Sequence, residues 1–233
     1  MDNLQEKIYQ LLVSAIDKNY KCFTTKITNS PTPLLGVKVP FLKKIAQQVL
    51  KTESIDSIMK MESGVYIEYE FIKGFCIAKA TIETDKKFSY LEEFSKTIDN
   101  WAVCDSVASA LKVKKSDREL LWTFIERLIK SHYPFSVRLG IVLLLQNFAD
   151  NDNFIRVIGQ LKNINCEKHY YIDMAVAWLV SVLLIFCYEQ TVAFLSVETC
   201  FLDKFTRNKA LSKAIESYRI DAQKKIYLKK LKI

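Results

Sequence analysis

Residues 174–188 read Met174-Ala175-Val176-Ala177-Trp178-Leu179-Val180-Ser181-Val182-Leu183-Leu184-Ile185-Phe186-Cys187-Tyr188, the longest uncharged run in the chain. A membrane-spanning helix needs roughly 20 apolar residues, so this run is too short to cross a bilayer. It reads as the centre of a core helix over 168–187, buried on most sides. Outward from it, helical periodicity dominates. Residues 3–18 carry Leu4, Ile8, Leu11, Leu12 and Ile16 on one stripe, and 66–80 turns Ile67, Phe71, Phe75 and Ala78 inward. Further helices are expected at 54–61, 89–95, 100–111, 120–129, 135–148, 151–162, 189–196, 207–218 and 221–231. Pro40 starts another through Phe41, Ile45 and Val49. Asp99 or Asn100 is the expected N-cap of 100–111, and Ser116-Asp117-Arg118-Glu119 fits a capping box before 120–129.

The 233 residues are 50% hydrophobic, enough to bury a sizeable core, and include only 5 Gly and 4 Pro. A β-rich chain of this length needs more turn residues, so the class is all-α. Three of the four prolines fall in Asn29–Pro40. This stretch is the one clear connector. It separates an N-terminal helix, 1–28, from a repeat body, 41–233, the whole forming one domain. Helix pairs recur every ~35–45 residues, which favours an α-solenoid of HEAT-like helical repeats over a bundle. Such a solenoid is curved, with a concave face that suits an extended partner.

The six cysteines contain no C-x-x-C pair, and there are only two histidines, His132 and His169. Neither a disulfide framework nor a metal site is expected. Buried reduced thiols and the polar opening Met1-Asp2-Asn3-Leu4-Gln5-Glu6, which is no secretory leader, predict a cytoplasmic protein. No Gly-rich phosphate loop is present, which argues against nucleotide hydrolysis.

The net charge of +8 has an uneven origin. Residues 204–233 hold ten basic side chains, Arg207, Lys209 and Lys213 among them, against Glu216 and Asp221. Ten minus two is the whole excess, so residues 1–203 balance at 24 and 24. A basic end on a neutral body fits either a polyanion contact or a solubilising terminus.

Trp101 and Asp105 are four residues apart, so on a helix they share a face. An indole beside a carboxylate can grip a flat cation. The plainer reading is a packed Trp with a solvated Asp, since a Trp in a helical stripe is more often core than site. Arg138 puts one charge on an otherwise apolar helix. It can pair with a carboxylate, its stem lying along apolar surface. Trp178 shares its helix with Tyr170 and Tyr171. Cys104 and Asp105 are adjacent on a helix and face different ways, which is no nucleophile pair.

Five segments together carry a resemblance. They are Gly36-Val37-Lys38-Val39-Pro40 with Leu42-Lys43-Lys44-Ile45-Ala46, then Tyr69-Glu70-Phe71, Asn100-Trp101 through Asp105, Val137-Arg138 and Met174-Ala175-Val176-Ala177-Trp178. In order and spacing the chain resembles the DNA alkylation repair proteins of the HEAT-like-repeat DNA glycosylase type, over about 36–220.

The resemblance implies that Trp101, Asp105, Arg138 and Trp178 line a concave basic groove for duplex DNA. It implies release of positively charged N3- or N7-alkylated purines by cleavage of the N-glycosidic bond, by a monomer with no metal or other cofactor. Asp105, Trp101 and Trp178 would be catalytic. Arg138, Arg207, Lys209 and Lys213 would contact DNA. Two other readings stay open: a DNA-binding scaffold without excision, and a protein-binding solenoid.

Overall fold

The computed structural model describes residues 3–164, 166–196 and 200–233. Met1 and Asp2, which open the polar N-terminal stretch, lie outside them. The described residues form fourteen α-helices and one 3-10 turn, with no β-strand. The chain divides into two compact units, Met1–Trp122 and Thr123–Ile233.

In the N-terminal unit the helix expected over 1–28, with its stripe over 3–18, is two helices, α1 (Asn3–Val13) and α2 (Lys18–Thr28). Two interactions break it. Ile16 is extended and forms an antiparallel bridge with Val37. Asp17 caps α2, its carboxylate accepting the N–H groups of Asn19 and Tyr20 at 3.0 Å each, which satisfies two orphan donors of the new helix. Asn29, in the left-handed region with φ 45, ends α2.

Next come α3 (Val39–Thr52), α4 (Ile55–Met59), α5 (Ile67–Lys79), α6 (Thr84–Ser95), α7 (Trp101–Ala110) and the start of α8 (Arg118–Ile129). Pro40 sits in the first turn of α3, as expected. Ser116 is not a helix cap: its hydroxyl donates to Asp117 at 2.8 Å, and a 3-10 turn, Lys115–Asp117, leads into α8. α5 packs against α3 and α7, with α4 and α6 also against it. Alternate helices thus form one layer and the intervening helices a second, the arrangement of a helical-repeat solenoid.

α5 is central and nearly all buried, including three charged residues, Glu68, Glu70 and Lys73. Each has partners. The Glu68 carboxylate, 2% exposed, accepts N–H groups from Leu35 at 3.0 Å, Gly36 at 2.8 Å and Val37 at 3.2 Å. Gly36 has φ +100, and a Cβ there would come within 2.9 Å of the Asp17 carbonyl oxygen, so the turn needs glycine. Lys73 donates to the Met61 carbonyl at 2.6 Å and the Ser63 hydroxyl at 2.9 Å, while Glu70 accepts from the Gly64 N–H at 3.0 Å. Burial holds the Glu70 carboxyl above its ordinary range and the Lys73 ammonium below its own.

The C-terminal unit contains α9 (Pro134–Asn147), α10 (Phe154–Leu161), α11 (Tyr170–Phe186), α12 (Tyr188–Ser196), α13 (Lys204–Glu216) and α14 (Ala222–Lys230). α11 holds most of the uncharged run and packs against α9, α12 and α13. With neighbours on more than one side it buries residues around most of its girth, from Ile172 to Leu184. That explains its lack of a polar stripe. Among the described residues no helix is long and apolar enough to cross a membrane.

Two stability predictions follow from α5. Glu68→Gln keeps one carbonyl acceptor but faces the same N–H groups with an amide donor, so it should destabilise by about 2–3 kcal/mol. A urea midpoint unchanged from the wild type would refute this. At Gly74 an added Cβ would overlap Val107 Cγ2 and lie 2.9 Å from Phe94 Cζ. Gly74→Ala should therefore cost about 1–2 kcal/mol despite its better helix propensity, and Val107→Ala in the same chain should restore part of the loss.

Candidate nucleic-acid interface

Asn100 is the N-cap of α7, as the sequence predicts. Its side-chain oxygen accepts the Ala102 N–H at 2.8 Å. Its amide nitrogen also donates to the Thr28 carbonyl at 3.4 Å. Trp101 follows as the first residue of α7 and donates its indole N–H to the Ile27 carbonyl at 3.4 Å. These carbonyls belong to the last turn of α2, where helix carbonyls lack intrahelical partners. The end of one helix therefore fixes the start of another, and the indole cannot turn without losing that bond. Trp101 is half-buried and borders a cavity of about 90 Å³ with Tyr20, Ile27, Leu34 and Phe71.

Asp105 lies one turn further along α7, also half-buried. The shared face expected from the spacing is present: Trp101 and Asp105 both keep accessible surface, while Val103, Cys104, Val107 and Ala108 are buried. An indole and a carboxylate on one partly open helix face can flank a flat cation without either being fully desolvated.

In the C-terminal unit Arg138 is 5% exposed and donates to the Tyr171 carbonyl at 2.7 Å. It stands beside an aromatic group in which the Tyr171 ring lies 5.5 Å from Phe135 and 5.7 Å from His169, centroid to centroid. Trp178 is half-buried on α11. Tyr170 is 57% exposed and lies 6.1 Å from the Phe205 ring.

The basic C-terminal residues divide by environment. Arg207 donates to the Leu231 carbonyl at 3.1 Å, closing the end of α14. Arg219 lies over the Phe186 ring at 4.6 Å and Lys224 over Tyr188 at 4.5 Å. Lys209 is exposed above Phe205, and Lys213 is half-buried. Part of the charge excess thus holds helices together.

None of the six cysteines is in a disulfide; Cys76, Cys104 and Cys187 are buried and Cys22 is exposed. Burial pushes the Cys76 thiol up to about 12, which leaves it a poor nucleophile. Among the described residues no group of three or more His, Cys, Asp or Glu is arranged to hold a metal ion.

Tyr20 and Ile27 fall in the N-terminal helix expected over 1–28, but they were not expected beside Trp101, because the break that makes α2 a separate helix was not expected. The one available signal was Asp17 ahead of Lys18-Asn19-Tyr20, an N-cap residue before a helix start.

No curated protein and no solved structure gives a significant match to the chain. One family model does, that of the DNA alkylation repair enzymes, over residues 8–214. Covering 207 of the 233 residues, the match shows that the chain belongs to the DNA alkylation repair enzyme family.

Proposed function

We propose that the protein is a DNA glycosylase. It releases positively charged N3- or N7-alkylated purines from duplex DNA, acting as a cytoplasmic monomer without metal or cofactor. Family membership supports the coarser part, an enzyme of DNA alkylation repair. The observation that carries the finer part is the half-buried pair Trp101 and Asp105 on one face of α7, with the indole anchored on the Ile27 carbonyl.

The chemistry needs little else. An N3- or N7-alkylated purine is already cationic and leaves without a general acid. As the C1′–N bond breaks, its electron pair stays with the base and cancels that charge. The sugar becomes cationic, and a water oxygen then bonds to C1′. The Asp105 carboxylate stabilises the sugar cation, orients the water and takes its proton. Trp101 and Trp178 are proposed to lie against the cationic base or sugar. Arg138, Arg207, Lys209 and Lys213 are the proposed phosphate contacts. Of these, Lys209 is the most open, while Arg138 and Arg207 each also donate to a backbone carbonyl.

The purified protein should release methylated purine from alkylated duplex DNA. Asp105→Asn should lower the single-turnover release rate by about 100-fold or more, with the fold intact by circular dichroism. Release at the wild-type rate would remove Asp105 from the mechanism. Salt-sensitive binding without release by the wild type would assign the protein to the scaffold reading.

A further inference from the structure

Residues 1–203 balance in charge along the sequence, yet the N-terminal unit gathers its lysines in space. A groove of about 1390 Å³ runs along α3 and opens at the C-terminal ends of α5 and α7. Lys43, Lys44 and Lys51 line it from α3, and Lys79 from the end of α5. Lys87 joins them from α6, with Lys112 and Lys114 from the segment after α7. Three carboxylates share the walls, Glu83, Asp85 and Asp117, so seven ammonium groups face three acids. Asp117 is already engaged, accepting from the Thr84 hydroxyl at 2.7 Å and the Ser116 hydroxyl at 2.8 Å. Among the described residues none of the seven lysines has a carboxylate within 4.0 Å.

Lysines near helix C-termini offset the helix dipole. That accounts for Lys51 and Lys79, which sit in last turns, and for Lys112, just past the C-cap of α7; Lys43 lies over the Phe75 ring at 5.4 Å, which leaves Lys44, Lys87 and Lys114. Burial and the neighbouring Lys114 charge hold the Lys87 ammonium below the usual lysine range. With seven ammonium groups against three carboxylates the groove is net positive, a charge that a polyanion would offset.

The lining chemistry narrows the polyanion. It has no arginine for bidentate recognition and no aromatic ring on which an unpaired base could stack. Gln47 and Gln48 add amide donors beside the lysines. Point charges without stacking platforms suit a backbone whose bases are already paired and stacked inside. The groove is also distinct from the Trp101 end of α7. Ser109 and Ala110 border it, and Ala110 is nine residues beyond Trp101, roughly 13 Å of helix.

The geometry points to a second DNA contact in the N-terminal unit: the lysine groove binds the phosphate backbone of undamaged duplex DNA, independently of base sequence and of the Trp101–Asp105 face. This inference rests on DNA as the partner and not on base release.

The test uses the full chain with Lys44→Gln, Lys112→Gln and Lys114→Gln combined, all at exposed positions. Binding of an undamaged random-sequence duplex is measured from about 50 to 200 mM salt. The Kd at ~100 mM salt should rise on the order of tenfold, and the slope of log Kobs against log salt should flatten by about 2–3, at ~0.9 per phosphate contact. Single-stranded DNA of the same length should lose much less affinity. An unchanged duplex slope, or an equal loss for single strands, would overturn the inference.

The release rate at saturating alkylated duplex, measured on the same variant, separates the two proposals. A flattened slope in a protein that releases no base leaves the lysine groove standing while the glycosylase reading fails. An unchanged slope with normal release does the reverse.

Discussion

Three backbone N–H groups converge on the buried carboxylate of Glu68, and much of the N-terminal unit is arranged around that contact. Each side would be unstable alone. A carboxylate taken out of water without donors costs several kcal/mol, and buried amides without acceptors cost 1–3 kcal/mol apiece. The segment around Leu35 to Val37 belongs to no helix, so its N–H groups have no neighbours one turn back to use. Once Glu68 takes them, Gly36 accepts the Asp17 N–H at 3.0 Å and Val37 pairs with Ile16. Those contacts set where α2 begins. The last turn of α2 in turn receives the Trp101 and Asn100 side chains. The orientation of the candidate site thus follows from a carboxylate on another helix.

A second constraint acts from the other side of α7. Gly74 lets α5 approach α7 so closely that Val107 and Phe94 occupy the space a methyl group would need. Close packing there fixes α7 against α5, while the α2 bonds fix its first residue. Trp101 and Asp105 accordingly sit on a helix held at both its flank and its start, which is the support a preorganised site needs.

How much of this the sequence disclosed depends on the range of the interaction. α11 was legible because an uncharged run of this length admits few other readings, and the Asn100 cap because capping is local. The Trp101–Asp105 face followed from spacing alone. The break that separates α2 from α1 inside the helix expected over 1–28 was not legible: Lys18 to Thr28 shows no clean apolar stripe, and the partners at the break are the distant Gly36 and Val37. The burial of Arg138 was equally hidden, since a lone arginine among apolar residues can point either way until its neighbours are known. The lysine groove is a further case. Counting charge along the chain gives balance, and only the fold separates the signs.

The helices α3, α5 and α7 touch chiefly their neighbours, an arrangement in which units can unravel one at a time. The N-terminal arm changes that. Its bonds span 31–33 residues at Glu68 and 72–74 at Asn100 and Trp101. Ser30 and Thr32 add hydroxyl bonds to Asp99 across 69 and 67 residues. The arm therefore straps the first helices to α7 over the helices between. Opening any one of those helices breaks bonds held by the others. The unit gains all-or-none cooperativity, at the expense of long loops that must close late in folding.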